Sequence, residues 1–167
     1  DNLRGIFGEA KNVHYVRLHS TNNIVRLAVE YPLIITRLGV DYAHFQYISP
    51  LIKTCKEIVT IHDLLFLDYP EYFPRSYRVK NEILFKLSAK RADLLLTVSK
   101  YSKDEIIRHF NICEDKIHIT PNGVLPQNMG KALPDIKKKF GLYRYILTVS
   151  RIEPRKNHQM LLQAYVE

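Results

Sequence analysis

Short unbroken apolar runs alternate along this chain with stretches of helical periodicity. In "EIVTIHD" (57–63), Ile58, Val59 and Ile61 form a run suited to a buried strand. "DLLLTVS" (93–99) is apolar without alternation, as expected of a strand covered on both faces. "KIHIT" (116–120) and "YILTVS" (145–150) read as further strands, and "NVHYVRL" (12–18) and "VDYAHFQ" (40–46) are weaker strand candidates. Between them, "STNNIVRLAVEYPLIITRLG" (20–39) opens on capping residues and ends in Gly39, which predicts a helix kinked, or broken into two pieces, at Pro32. "YRVKNEILFKLSAKRA" (77–92) carries Val79, Ile83, Leu84 and Leu87 at helical spacing. "SKDEIIRHF" (102–110) reads as a helix that either Ser102, at capping-box spacing from Glu105, or Ser99 caps. "LPDIKKKFG" (133–141) reads as a short helix closed by Gly141, and "NHQMLLQAYVE" (157–167) begins another with Asn157 as a candidate cap.

Strand–helix alternation over short connections predicts a Rossmann-like α/β fold: a parallel sheet with helices on both faces. In such sheets ligands bind beyond the carboxyl ends of the strands. Those ends read "HFQY", "IHD", "TVS", "TPNG" and "VSR", so one cleft could collect His44, His62, Asp63, Ser99, Asn122 and Arg151.

Each candidate has a plain structural reading beside the functional one. His62 can donate to a sugar hydroxyl or to a backbone carbonyl, and Asp63 can serve a cleft or cap a turn. A lone strand-end histidine such as His44 is more often structural. Ser99 lacks a G-x-S-x-G elbow and reads first as a helix cap. Asn122 belongs to an Asn-Gly turn. "SRIEPRKN" (150–157) places Arg151, Arg155 and Lys156 where a strand hands over to a helix. A helix N-terminus already favours anions, and guanidiniums beside it would make a diphosphate site. Cations there oppose the helix dipole, which argues against a purely structural role.

Composition narrows the partners. The chain has 167 residues, 46% hydrophobic and 25% charged, as for a globular domain. Its net charge of +8 is graded, with +1 in 1–50, +3 in 51–100 and +4 in 101–167. A basic surface favours phosphorylated ligands, acidic lipid headgroups or nucleic acid, but no nucleic-acid signature accompanies it. No apolar run approaches a membrane span, and no secretory leader is visible. Cys55 and Cys113 fit neither a disulfide framework nor a metal cage and read as reduced thiols in a cytoplasmic protein. His14, His109, His118 and His158 show no metal-ligand spacing with one another. The aromatic loop "LLFLDYPEYFP" (64–74) could pack on the core, cover a cleft or lie at a membrane interface with Arg75, Arg78 and Lys80.

The ordered set "VTIHDLLFLDYPEYF", "AKRADLLLTVSKYSKDEII", "KIHITPNGV" and "YILTVSRIEPRKN" resembles retaining glycosyltransferases of family 4, which have the GT-B fold. The His-Asp-Leu tract with "YPEYF" is similar to mannosyltransferase-like members that build cell-surface polysaccharide. The resemblance implies an acceptor-side N-terminal domain (1–124, its first strand missing), a connector (125–143) and the first strand and helix of a donor-binding domain (144–167). It implies that Arg151 and Lys156 hold the donor diphosphate, with Arg155 a less regular neighbour. His62 is expected to approach the donor sugar as the catalytic residue, and His44, Asp63, Ser99 and Asn122 are acceptor or cleft candidates. The substrates implied are a nucleotide-sugar donor and a saccharide or lipid-linked acceptor, with no metal or other cofactor. Ser150 departs from the family's more usual glycine. The expectation is a fragment of a longer enzyme, inactive alone, in the cytoplasm or at the inner membrane face with peripheral membrane contact. The apolar face of "MLLQAY" makes it a candidate for dimerisation. A sugar-nucleotide epimerase on the same layout and a non-catalytic anion-binding module are the alternatives.

Overall fold

The computed structural model describes residues 2–123, 136–141 and 143–166. Four strands form one sheet: β1 (Tyr42–Gln46), β2 (Lys56–Thr60), β3 (Leu94–Thr97) and β4 (Ile117–Ile119). They lie in the order β1-β2-β3-β4, and every neighbouring pair is parallel. Three of these were the sequence's unalternated or short apolar runs, and β1 was a weaker candidate.

Register explains the core. Phe45 pairs with Val59, Val59 with Leu95 and Leu95 with Ile117, so one row of apolar side chains crosses a single face of the sheet. Helix Arg75–Arg91 connects β2 to β3, and helix Lys100–Phe110 connects β3 to β4. Phe85 and Ala89 of the first join Ile106 and Phe110 of the second over that row in one buried cluster. A chain that steps in one direction through right-handed crossovers must place successive helices on one face. On the opposite face His44 is exposed, while Ile58, Leu94 and Leu96 are half-buried. The parallel sheet flanked by helices is thus present, with both crossover helices packed in one cluster on the same face.

The helix expected over 20–39 forms with a wide turn in it. The Asn22 carboxamide oxygen accepts from Ile24 N–H at 2.8 Å, the backbone takes a π-type turn over Arg26–Glu30, and helix Tyr31–Leu38 follows. Tyr31 N–H bonds the carbonyl of Arg26, five residues back, immediately before Pro32, which has no N–H to give. Gly39 closes the helix at φ +61. We label Tyr31–Leu38 α1, Arg75–Arg91 α2, Lys100–Phe110 α3 and the C-terminal helix His158–Val166 α4.

No helix connects β1 to β2; residues 47–55 cross over as a loop. The C-terminal end of α2 holds that loop. Ser88 Oγ accepts from Ser49 N–H at 3.0 Å, and Arg91 donates to the carbonyls of Pro50 and Leu51, both at 2.9 Å. Arg91 also pairs with Glu57 at 3.2 Å, where the carboxylate is almost fully buried. This charge lies at the amino end of β2 and serves the fold.

Two strand expectations fail. Residues 12–18 are irregular, with Val13 and Val16 exposed. Residues 145–150 also make no ladder, and Ile146, Leu147 and Val149 are exposed. Both stretches have strand composition, but β propensity is realised only against a paired neighbour, and neither has one. The helix that was to follow does form: Asn157, at φ +51, ends the 3-10 turn Pro154–Lys156, and its carbonyl accepts from Leu161 N–H at 3.2 Å to open α4. The connector proposed over 125–143 falls largely outside the described residues. Within it, helix Ile136–Phe140 is described, and Gly141 follows at φ +65.

Candidate functional site

The parallel register brings the carboxyl ends of the strands to one edge, where Gln46 pairs with Thr60, Thr60 with Leu96 and Leu96 with His118. Beyond them the backbone is held by specific bonds. Tyr47 N–H donates to Thr60 O at 2.9 Å, Ile61 N–H to Leu96 O at 2.9 Å and Thr120 N–H to Thr97 O at 2.7 Å. Thr97 Oγ1 donates to Ile61 O at 2.7 Å from a fully buried position. Ser102 Oγ, in the first turn of α3, donates to His62 O at 2.7 Å. The stretch carrying His62 and Asp63 is therefore fixed from β3 and from α3.

His62 is half-buried, and its ring lies 5.4 Å from that of Tyr47, centroid to centroid. Tyr47 in turn packs against Phe85 at 4.9 Å. The Tyr47 backbone is left-handed, at φ +64, which is costly for an aromatic residue and holds only where its surroundings fix it. Burial, with added repulsion from the Asp63 carboxylate, pushes the Tyr47 hydroxyl up to about 12. It therefore remains a hydrogen-bond donor at neutral pH. Asp63 Oδ1 accepts from Leu65 N–H at 3.3 Å, the turn-capping bond that its sequence position suggested.

The other candidates lie apart from this pair. His44 sits within β1, exposed, with Nε2 2.7 Å from Thr60 Oγ1. It lines a groove of about 580 Å³ whose walls include Ile24, Leu27, Ile48 and Leu84, with Arg26 and Lys80. Ser99 caps α3, accepting from Ser102 N–H at 3.1 Å. Asn122 is exposed beyond β4. Arg151 is exposed, and Arg155 and Lys156 lie in the turn before α4. Glu153, inside the same basic motif, pairs with Arg155 at 2.7 Å and approaches Arg151 at 4.0 Å. This loop and residues 71–73 of the aromatic loop line a cleft of about 460 Å³, which neither His62 nor Asp63 borders.

Sequence reasoning offered Ser102 only as a helix cap, and did not single out Tyr47 or the charge cluster just past the His-Asp tract. In that cluster, Asp68 closes the helix Leu65–Asp68 with its side chain only 6% exposed. Arg108 Nη2 donates to Asp68 Oδ1 at 2.6 Å and also bonds Glu105; His109 Nε2 lies 2.9 Å from the same Asp68 oxygen. Tyr101 donates to Asp68 Oδ2 at 3.3 Å. Burial opposes the Asp68 carboxylate, but side-chain bonding with Glu105 and His109 outweighs it and holds the group below its ordinary value. Ligand atoms of Asp68, Glu105 and His109 lie within 4.8 Å of one another, enough to hold a cation. Arg108 already supplies the positive charge there, so the cluster fits a clamp between the loop and α3 better than a metal centre.

The fold and these strand-end groups define an α/β domain of the kind that binds ligands beyond a parallel sheet. A model of "Glycosyltransferase Family 4" matches residues 7–127. The chain belongs to glycosyltransferase family 4. It is 34% identical over 134 residues to the O-antigen chain mannosyltransferase B of Escherichia coli, covering 75% of this chain and 35% of that protein. It is 32% identical over 108 residues to the O-antigen chain mannosyltransferase RfbU of Salmonella typhimurium, covering 65% of this chain and 28% of that one. It is also 37% identical over 86 residues to the N-acetylgalactosamine-N,N'-diacetylbacillosaminyl-diphospho-undecaprenol 4-alpha-N-acetylgalactosaminyltransferase of Campylobacter jejuni, covering 51% of this chain and 23% of that one. The chain thus spans about a third or less of these relatives' length.

Proposed function

We propose that the protein carrying this chain transfers a hexosyl group, mannosyl as in two of the relatives named above, from a nucleotide-sugar donor to a saccharide or lipid-linked saccharide acceptor. The transfer retains anomeric configuration and serves cell-surface polysaccharide synthesis at the cytoplasmic membrane face. The observation that carries this is the match to named mannosyltransferases through the stretch holding His62 and its supports. No helix among the described residues is long and apolar enough to cross a membrane.

His62, fixed through its carbonyl by Ser102, would present its imidazole to the donor sugar. Arg151 and Lys156 would hold the diphosphate, and the groove beside His44 would take the acceptor. In the reaction the anomeric C–O bond to phosphate breaks and the acceptor hydroxyl oxygen bonds to that carbon from the same face. The hydroxyl proton passes to the departing diphosphate oxygen. Fixed cations offset the charge that grows on that diphosphate. The named relatives are transferases, which favours this reading over an epimerase or an inert anion-binding module.

The test is steady-state transfer by the full-length protein from candidate sugar nucleotides to a water-soluble acceptor analogue. Arg151→Ala and Lys156→Ala should each slow turnover on the order of 100-fold, about 3 kcal/mol, with unchanged melting. Lys156→Arg should restore only part of the rate, because a planar fork does not reproduce a compact ammonium. Near-native turnover in both alanine variants would sink the assignment.

A further inference from the structure

Helix α2 has two apolar faces. Asn81, Phe85, Ser88 and Ala89 are buried toward the sheet. Opposite them Val79, Ile83 and Leu87 stand 49%, 55% and 48% exposed. Successive members are four residues apart, so they form one continuous stripe along the helix. At about 100° per residue, Lys86 and Lys90 fall along one flank of that stripe in a row that begins with Glu82, Lys80 falls along the other, and Arg75 continues the stripe one turn before Val79. The helix carries six basic residues and one acid, Glu82. Of the six, Arg91 alone is ion-paired among the described residues, with Glu57. In the loop before the helix, Tyr69 and Tyr72 are also exposed; Tyr77 lies on the sheet side, packed on Phe66 and Phe73.

We infer that this face of α2 is a docking surface for an anionic phospholipid membrane. The inference deepens the proposed function and rests on it for the lipid-linked acceptor. An apolar stripe bordered by lysines, with tyrosines at one end, is the chemistry of a helix lying in the headgroup plane. The stripe enters the acyl boundary, the ammonium groups meet lipid phosphates and the tyrosines sit at the interface. A second copy of the chain fits poorly, because each copy would bring the same excess of positive charge to the contact. Nucleic acid would reward the cations but leave the stripe in water. The inner side of α2 borders the groove near His44 through Asn81 and Leu84, with Lys80 at its rim. Docking by the outer face would hold that groove beside the membrane, within reach of a lipid-borne sugar.

The test is flotation of the full-length protein with vesicles of phosphatidylglycerol and phosphatidylcholine, against phosphatidylcholine alone. Binding should be at least about tenfold tighter to the anionic vesicles and weaken as salt rises. The triple variant Val79→Ser, Ile83→Ser, Leu87→Ser touches only exposed positions and should lose about tenfold or more in vesicle binding at unchanged melting. Lys86→Gln with Lys90→Gln should lower binding and flatten its salt dependence. Equal partitioning of wild type and triple variant, or equal binding to neutral vesicles, overturns the inference. So does a wild-type dimer that the triple variant abolishes, since the occupant is then a second copy. Transfer to the water-soluble acceptor analogue is measured in parallel. Transfer without vesicle binding rejects the surface and leaves the activity standing; vesicle binding without transfer does the reverse.

Discussion

The sheet half and the C-terminal segment are both rich in apolar residues, yet they use them differently. In the sheet half, Val59, Leu95, Ile106 and Phe110 are completely buried. In residues 143–166, Leu147 is 75% exposed and Ile152 94% exposed. The difference is the supply of neighbours. β2 has a strand on each side and two helices above it, whereas 145–150 has a strand's composition and no ladder. Apolar sequence gives a stretch the capacity to be core, and tertiary partners decide whether that capacity is used.

The largest effect expected separates the two regions directly. Phe110→Ala removes a fully buried ring from the shared contact of α2, α3 and the sheet. It should cost about 3–5 kcal/mol in urea unfolding followed by far-UV circular dichroism. Leu147→Ala should change stability by less than about 0.5 kcal/mol, as at exposed positions without such contacts. Comparable losses in the two variants would break the comparison, because Leu147 would then be core in solution.

A second effect lies at the edge of the sheet half, where Asp68 ties the loop after His62 to α3. Asp68→Asn should cost about 1–3 kcal/mol at neutral pH, since it removes a buried carboxylate that Arg108 and His109 bond. The sign with pH follows from a folded pKa held below its ordinary value. The wild type's advantage is full above the unfolded carboxyl value of about 3.9 and disappears as pH falls through the lower folded value. Unfolding curves of both proteins across that range should converge in acid. A gap that stayed constant with pH would show that the carboxylate charge is not what holds the loop.

Legibility in the sequence follows the same division. β2 and β3 were readable because parallel strands with a neighbour on each edge need apolar runs, β4 from its short apolar run alone, and α2 and α3 because their periodicity is local. The Ser99 cap and the Asp63 turn were readable too, each being a bond to a residue two or three positions away. The supports of His62 were not. Ser102 reaches its carbonyl, and Arg108 reaches Asp68, across 40 residues each. Nothing in either stretch alone marks such a pairing. Tyr47 closed the quoted strand end "HFQY", but its left-handed backbone is a consequence of the loop that α2 holds. The strand readings at 12–18 and 145–150 failed for the converse reason: local composition was right and the long-range partner was missing. Likewise Glu153 stood in plain sight within "SRIEPRKN", yet its pairing with Arg155 depends on how the turn brings the two side chains round.

That pairing gives the smallest effect and the sharpest view of the C-terminal segment. Glu153→Gln leaves a similar shape but releases Arg155 and Arg151 from a carboxylate at 2.7 and 4.0 Å. As a partly exposed pair it should be worth only about 0.2–1 kcal/mol, so melting should barely move. If the loop's business is to bind an anion, however, the same change should strengthen affinity for inorganic pyrophosphate by up to about fivefold at low salt. The gain should shrink as added salt screens the exposed charges. Isothermal titration of both proteins with pyrophosphate would read it. Weaker binding in the variant would mean that Glu153 orients Arg155 for the anion rather than competing with it. Unchanged binding at every salt concentration would place the pyrophosphate away from these arginines and return "SRIEPRKN" to an ordinary solvated loop.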